Sequence, residues 1–313
     1  MPETAPALWN ERGETDPEPI GTPARFADAS DERIAAAIDQ LTSTVQQGLV
    51  RDLGADVLRR AIAADGLELP PAAHREGYFG DDDLAYWLSG YGDGLLLRQH
   101  TALGTLLDFG CSSGRVLRHL HSAGQVYGVD INVNAVRWAR DHLPFPVAQG
   151  TIIPALPFPD ATFDTVYAGS VLTHIDEMEE SWLLELRRVL KPGGRAVVTF
   201  HPDRLWQEMT DPGHHLRTIV DANPTRMDPG GPDPVFDGRA PAERVVFTIT
   251  TLSVYNVNVV HSQRYVREHW GRLFKVVDIV PRAHGEWQDA AILEKAASHP
   301  DLPASTPDWP RRR

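Results

Sequence analysis

The sequence predicts an α/β fold with a doubly wound parallel sheet, and three observations predict it. Residues 105–120 (TLLDFGCSSGRVLRHL) read as a short apolar strand, a small-residue loop and a helical pattern. Residues 125–130 (QVYGVD) read as a second strand that ends, like the first, on an acid. From 106 to 168 strand-like and helix-like segments alternate, the pattern of parallel strands joined by crossover helices.

Composition bounds the rest. A chain of 313 residues with 42% hydrophobic residues can build one large domain or two small ones around a packed core. Lys plus Arg is 30 against 43 for Asp plus Glu, and the net charge of −13 opposes general attraction to nucleic acid or anionic membranes. Cys111 is the single cysteine, so no intrachain disulfide forms, and the expected role is that of a small buried side chain. No basic segment leads into an apolar core at the N-terminus, and no apolar run approaches ~20 residues. A cytoplasmic protein without membrane contact is expected.

In chain order, residues 1–29 lack periodicity and are expected to be a mobile tail, as are 297–313. Residues 30–100 form a helical extension. Ile34, Ile38, Leu41, Val45, Leu49, Leu53, Leu58 and Ile62 recur at helical spacing, which suggests two helices broken near Gly48 or Gly54. They serve as core packing, a lid or a dimer face. Pro70-Pro71 closes this unit, and glycines, aromatics and three consecutive aspartates follow up to Gly94.

The main domain, 101–296, then offers strands near 105–109, 125–130, Val147 and 163–168, with helices opening at Gly114 and Asn132. Another helix is expected from near Asp176, with Glu179 as its capping-box partner. Leu190 to Gly194 stops it, and Arg195 to Phe200 is the fifth strand. Residues 202–260 are an insertion after that strand. Its second part, 245–260, is β-branched and alternating, which suggests a hairpin or cover strand, and insertions at this edge shape substrate pockets. A helix at 262–270, a strand at 274–280 and an antiparallel return at 290–293 complete the sheet.

The chemistry concentrates in the first loop. Gly110 and Gly114 let the backbone turn sharply and approach a ligand. Asp108 would repel a pyrophosphate, so the inferred ligand carries a cationic group. Asp130, about 20 residues further on at the end of the second strand, is placed to accept hydrogen bonds from ribose hydroxyls.

The loop resembles the first motif, D/E-x-G-x-G-x-G, of class I S-adenosylmethionine-dependent methyltransferases, with Ser112 in the place of the middle glycine. The LPF-x-D-x-x-F-D run at 156–164 and the L-x-x-x-x-R-V-L-K-P-G-G-R string ending at Arg195 are similar to the same family, so the resemblance covers residues 80–201. It implies a seven-stranded Rossmann-like sheet with an antiparallel last strand. It also implies S-adenosylmethionine as cofactor and a small-molecule acceptor, and the richness in Ala, Arg, Pro, Gly and Trp suggests a high-GC bacterial source and with it an acceptor of secondary metabolism or a sugar.

The residues it assigns to the cofactor are Asp108, Gly110, Cys111, Ser112, Gly114 and Asp130, with Ile131, Thr151, Ile152 and Ser170 in the following loops. Tyr86, Ser89 and Gly90 stand ahead of the first strand at the methionine end, where an aromatic face suits a sulfonium. Where an acceptor must lose a proton, His201, His261 and His174 are the candidate catalytic residues, His201 first, with His214 and His215 nearby. Two alternatives stay open: metal-assisted C- or O-methylation of a 2-oxo acid or catechol-like acceptor, with the metal ligands unknown, and a non-catalytic partner protein that only binds the cofactor. Pairing of two chains into a homodimer is also left open.

Overall fold

β1 (Leu106–Phe109) is buried along its whole length, as a strand covered on both faces must be. The computed structural model describes residues 29–296 apart from 229, 251–255 and 286, so both expected tails, Ala29 excepted, lie outside the described residues. Around β1 the sheet is completed by β2 (Val126–Asp130), β3 (Val147–Gln149), β4 (Phe163–Ala168) and β5 (Leu190–Pro202), then β6 (Thr225–Met227), β7 (Arg244–Ile249), β8 (Val257–His261), β9 (Lys275–His284) and β10 (Gln288–Glu294). The order β3-β2-β1-β4-β5 is parallel, and the antiparallel β10 sits between β5 and β9. This is the expected seven-stranded arrangement with its antiparallel last strand.

β5 overruns both neighbours. β4 leaves it at Val198 and β10 at Phe200. The last two residues, His201 and Pro202, pair in parallel with Val260 and His261 of β8. There the insertion adds an antiparallel sheet, β8-β7-β6, whose β7 and β8 are the hairpin read from the alternation at 245–260.

The first half of the extension has three helices where two were expected: α1 (Asp31–Asp39), α2 (Thr44–Leu53) and α3 (Ala55–Ala64). The first break falls before Ser43, whose hydroxyl accepts from Gln46 N and caps α2, and the second at Gly54 with φ +76. Gly48 lies inside α2. All three pack Ile34, Leu41, Val50, Leu58 and Ile62 against Leu84, Trp87 and Leu88 of α4 (Asp83–His100).

Past β1 the expected helix from Gly114 is only a 3₁₀ turn, Leu117–His119. Arg115 and Arg118 stand three apart, the period of such a turn. Both guanidinium groups are held by carboxylates of the extension, Arg115 by Asp93 and Arg118 by Asp65. α5 (Val133–His142) opens at Asn132 as expected, its side chain accepting from Asn134 N and Ala135 N. α6 (Glu179–Val189) starts at Glu179 and not near Asp176, and no side chain caps it. Asp176 is bound to Arg244, and Glu179 to Arg244, His261 and Trp270, so neither is free for a capping box.

α7 (Arg204–Glu208) and α8 (His215–Ala222) belong to the insertion, and α9 (Gln263–His269) returns the chain to the sheet. One apolar cluster joins the sheet to Trp182, Leu183, Leu186 of α6 and Val266 of α9, and a second joins it to Val136 and Ala139 of α5 and the end of α4. Both faces are covered, which is what a doubly wound sheet requires. Among the described residues no helix is long and apolar enough to cross a membrane.

Candidate functional site

β1, β2 and β4 end on one cavity of about 1670 Å³, beyond the ~300–1,000 Å³ usual for a single small ligand. It lies where ligands of open α/β sheets bind, outside the carboxyl ends of the strands. Its floor is the loop after β1. Gly110 (φ +87) and Gly114 (φ +79) lie in the left-handed region, and a Cβ at Gly110 would stand 2.2 Å from Val171. Ser112 adopts φ +46, a conformation a serine rarely takes, and its N–H donates to Asp130 Oδ2 at 2.6 Å. Its hydroxyl is buried without a hydrogen-bond partner among the described residues.

Asp130 holds a second main-chain donor, Asn132 N, on Oδ1 at 2.7 Å. Burial raises its carboxyl, and the two N–H groups oppose that rise. Asp108 is different. It lines the cavity, no described residue hydrogen-bonds its carboxyl, and burial, helped by Asp130 and Asp93 and opposed by Arg115, lifts it to about 8. A buried carboxyl without a partner fits a ligand that brings a positive charge. On the rim, Ile131 is 51% and Ile152 77% exposed, apolar surface of the kind a purine face would cover.

Most residues assigned to the cofactor line this cavity: Asp108, Gly110, Cys111, Ser112, Asp130, Ile131, Thr151, Ile152, Ser170 and Tyr86. Three stand outside its lining. Gly114 makes the turn. Ser89 accepts from Arg115 Nη1 at 3.2 Å, and a Cβ on Gly90 would stand 2.1 Å from the Arg115 carbonyl oxygen, so these two seat α4 against the loop. Cys111 is buried and its thiol is pushed up by that burial and by Asp130 and Asp108, which leaves it inert. The Thr151 hydroxyl closes a local turn with Ile153.

The histidines separate. His174 lines the cavity, and its Nδ1 lies 2.7 Å from the Val257 carbonyl oxygen. A carbonyl only accepts, so Nδ1 carries the hydrogen and Nε2 the lone pair. Burial pushes this imidazole down, which keeps it neutral.

His201, first choice from the sequence, is buried outside the cavity lining, and desolvation holds it far below the usual histidine range. His261 is also outside, 2.8 Å from Glu179 Oε2 in a buried cluster with Arg244 and Trp270. His261, Trp270 and Arg244 hold the Glu179 carboxyl down at about 2, so His261 ties β8 to α6. His214 packs edge-on against Trp287, and His215 stacks on the same ring at the cavity wall.

Sequence reasoning missed a second group, in which Asp93 stands behind the lining residues Tyr78, Arg115 and His284. Asp93, fully buried in α4, accepts from Arg115 Nη2 at 2.6 Å, and His284 Nδ1 lies 3.3 Å away. The Arg115 and His284 partners outweigh burial and hold Asp93 at about 2. The Tyr78 hydroxyl sits 2.8 Å from His284 Nε2, with the Arg115 guanidinium 4.4 Å from its ring centre. Tyr78 and His284 are 206 positions apart, and no motif joins them. Among the described residues no group of three or more His, Cys, Asp or Glu is placed to hold a metal ion.

Residues 107–198, which carry β1 through β5 and the loop beneath the cavity, match the family described as Methyltransferase domain. The chain thus carries, from 107 to 198, a segment that matches a methyltransferase domain.

Over 127 residues the chain is 36% identical to the 2-phytyl-1,4-naphtoquinone methyltransferase of Trichormus variabilis, covering 37% of this chain and 55% of that protein. Over 117 residues it is 32% identical to the ubiquinone/menaquinone biosynthesis C-methyltransferase of Burkholderia mallei, covering 34% and 46%. The chain thus spans about half the length of these relatives.

Among solved structures, the 1,6-didemethyltoxoflavin-N1-methyltransferase of Burkholderia thailandensis is 16% identical, over 74% of this chain and 93% of that one, with a TM-score of 0.44. A SAM-dependent methyltransferase from Aquifex aeolicus is 17% identical, over 73% and 100%, with a TM-score of 0.45. The extension and the insertion lie outside the matched family segment.

Proposed function

We propose that the protein is a methyltransferase that binds S-adenosylmethionine and transfers its methyl group to a small-molecule acceptor. The observation that carries this reading is the buried, unpartnered carboxyl of Asp108 at the mouth of the glycine loop, inside a methyltransferase domain and beside Asp130. Asp108 would hold the cationic end of the cofactor, Asp130 the ribose, and Ile131 and Ile152 the adenine. The cofactor supplies a methyl group already activated for transfer, so the chain has to align donor and acceptor and keep water out.

Where the acceptor must lose a proton, His174 is the group of choice. It faces the cavity as a neutral imidazole with the lone pair on Nε2, and a positioned base of this kind contributes roughly 10²–10⁴-fold. The cavity exceeds what one ligand needs, and Val171, Ile175, Met178, Trp182 and Trp287 give its far side an apolar, aromatic lining. With relatives named for naphthoquinone and ubiquinone/menaquinone substrates, this supports a ring-containing, largely apolar acceptor. An acceptor of bacterial secondary metabolism is the narrower form of the same reading.

The test is calorimetric titration with S-adenosylmethionine, NAD serving as control, followed by an assay for S-adenosylhomocysteine over reduced naphthoquinones, catechols and amines. Binding of the first ligand alone and turnover on a ring acceptor support the proposal. Binding without turnover on any acceptor would favour a non-catalytic partner protein.

A further inference from the structure

The cavity has a wall that the methyltransferase domain does not supply. Residues 75–79, between the helices of the extension and α4, line it directly. Their backbone is held in unfavourable conformations. Glu76 (φ 50) and Phe79 (φ 55) are non-glycine residues in the left-handed region, beside Gly77 and Gly80. Such strain persists only where the surroundings enforce it, and it gathers at ligand sites.

The Glu76 side chain is held by Asn132. The Asn132 side-chain oxygen caps α5 by accepting from Asn134 N and Ala135 N, which fixes the amide and turns its Nδ2 toward Glu76 Oε1. The main-chain N–H of the same residue donates to Asp130 Oδ1. One asparagine therefore holds two carboxylates on the cavity wall, one by its backbone and one by its side chain. Glu76 adds to the charge that, with burial, raises the Asp130 carboxyl, and both acids line the same cavity. No described residue hydrogen-bonds Glu76 Oε2. Two neighbouring carboxylates with spare lone pairs make a site for a ligand presenting two adjacent hydroxyl donors.

We infer that Glu76 is a cofactor-binding residue contributed by the extension: it and Asp130 accept the two hydroxyls of the ribose, one each. The inference rests on the methyltransferase reading, since it needs an adenosyl ligand in this cavity. Charge-assisted hydrogen bonds of this kind are the strong ones, and losing one costs on the order of tenfold or more in affinity.

The experiment is calorimetric titration of the full chain with S-adenosylhomocysteine and its 2′-deoxy and 3′-deoxy analogues, comparing the unchanged protein with Glu76→Gln and Glu76→Asp. The unchanged protein should bind the parent compound tightest. Glu76→Gln should weaken the parent at least about tenfold. It should also erase the penalty for one of the two deoxy analogues while keeping the other, which remains with Asp130. Glu76→Asp, which keeps the charge on a shorter arm, should fall between.

Equal weakening of all three ligands would mean that the substitution merely loosens the 75–79 segment, and unchanged affinity would mean that Glu76 does not touch the ligand. Either result overturns the inference while the methyltransferase reading stands. If the unchanged protein binds none of the three compounds, that reading falls and takes the inference with it.

Discussion

At the scale of single residues, Asp108 makes the sharpest prediction. Burial lifts its carboxyl to about 8, so below that pH it is mostly neutral, whereas a cationic ligand favours its ionised form. Affinity for S-adenosylhomocysteine, which keeps the ammonium group, should therefore rise from pH 6 to 8 and then level off. Binding should release a proton, read as a difference in heat between buffers of unlike ionisation enthalpy, and Asp108→Asn should flatten the profile. The same shift acts on stability. The folded state keeps a proton that the unfolded chain has already lost, so stability falls as pH rises from about 4 to 8. Asp108→Asn should remove that fall in denaturation at pH 5 and pH 8.

Asp130→Ala should weaken S-adenosylmethionine by about 1–3 kcal/mol, and an unchanged affinity would refute the ribose placement. Asp108, Ser112 and Asp130 were legible in the sequence because the loop and the next strand end lie within one short stretch of chain. Glu76, Tyr78 and His284 were not, because what makes them neighbours is the folding of distant segments onto Asn132 and Asp93.

At the scale of elements, α4 is pressed onto the glycine loop at Gly90. Gly90→Ala must displace a backbone carbonyl and should cost at least ~1–3 kcal/mol, measured by chemical denaturation. Arg115→Met takes the guanidinium partner from the buried Asp93 carboxylate and leaves it His284 and Gln46 alone, a loss of about 3–5 kcal/mol. Asp93 lies at about 2 in the folded protein against 3.8 otherwise, so its contribution is whole above pH 4 and disappears as pH falls toward 2. His261→Gln should destabilise the protein without changing its affinity for S-adenosylhomocysteine, because His261 serves the Glu179 cluster and not the cavity.

The seven strands were legible because alternation and terminal acids are local signals. The turn after Gly114 and the start of α6 were misread because Arg115, Arg118, Asp176 and Glu179 are drawn into ion pairs with residues far along the chain. A window of sequence contains one half of each pair.

At the scale of the whole molecule, three parts of the chain meet at one cavity: residues 75–79 and Tyr86 of the extension, the strand ends of the methyltransferase domain, and Asp228, Thr248, Asn256 and Val257 of the insertion. A ligand held by all three stabilises them together. At a hundred times its dissociation constant, S-adenosylhomocysteine should add about 2.7 kcal/mol to the unfolding free energy. Amide exchange should slow at 75–79 as well as at 108–114, and protection confined to the loop would contradict a shared site.

The overrun of β5 has a further consequence. Pro202 lies beside His261, one strand spacing of roughly 4.8 Å away, with both strands running the same way. The insertion thus leaves and re-enters the domain at adjacent points, and a short turn from Pro202 to Ser262 could replace all of it, leaving Glu179 without Arg244 and His261. Excision at that one edge would take Asp228, Thr248, Asn256 and Val257 out of the cavity wall and leave the Asp108 loop and Asp130 in place.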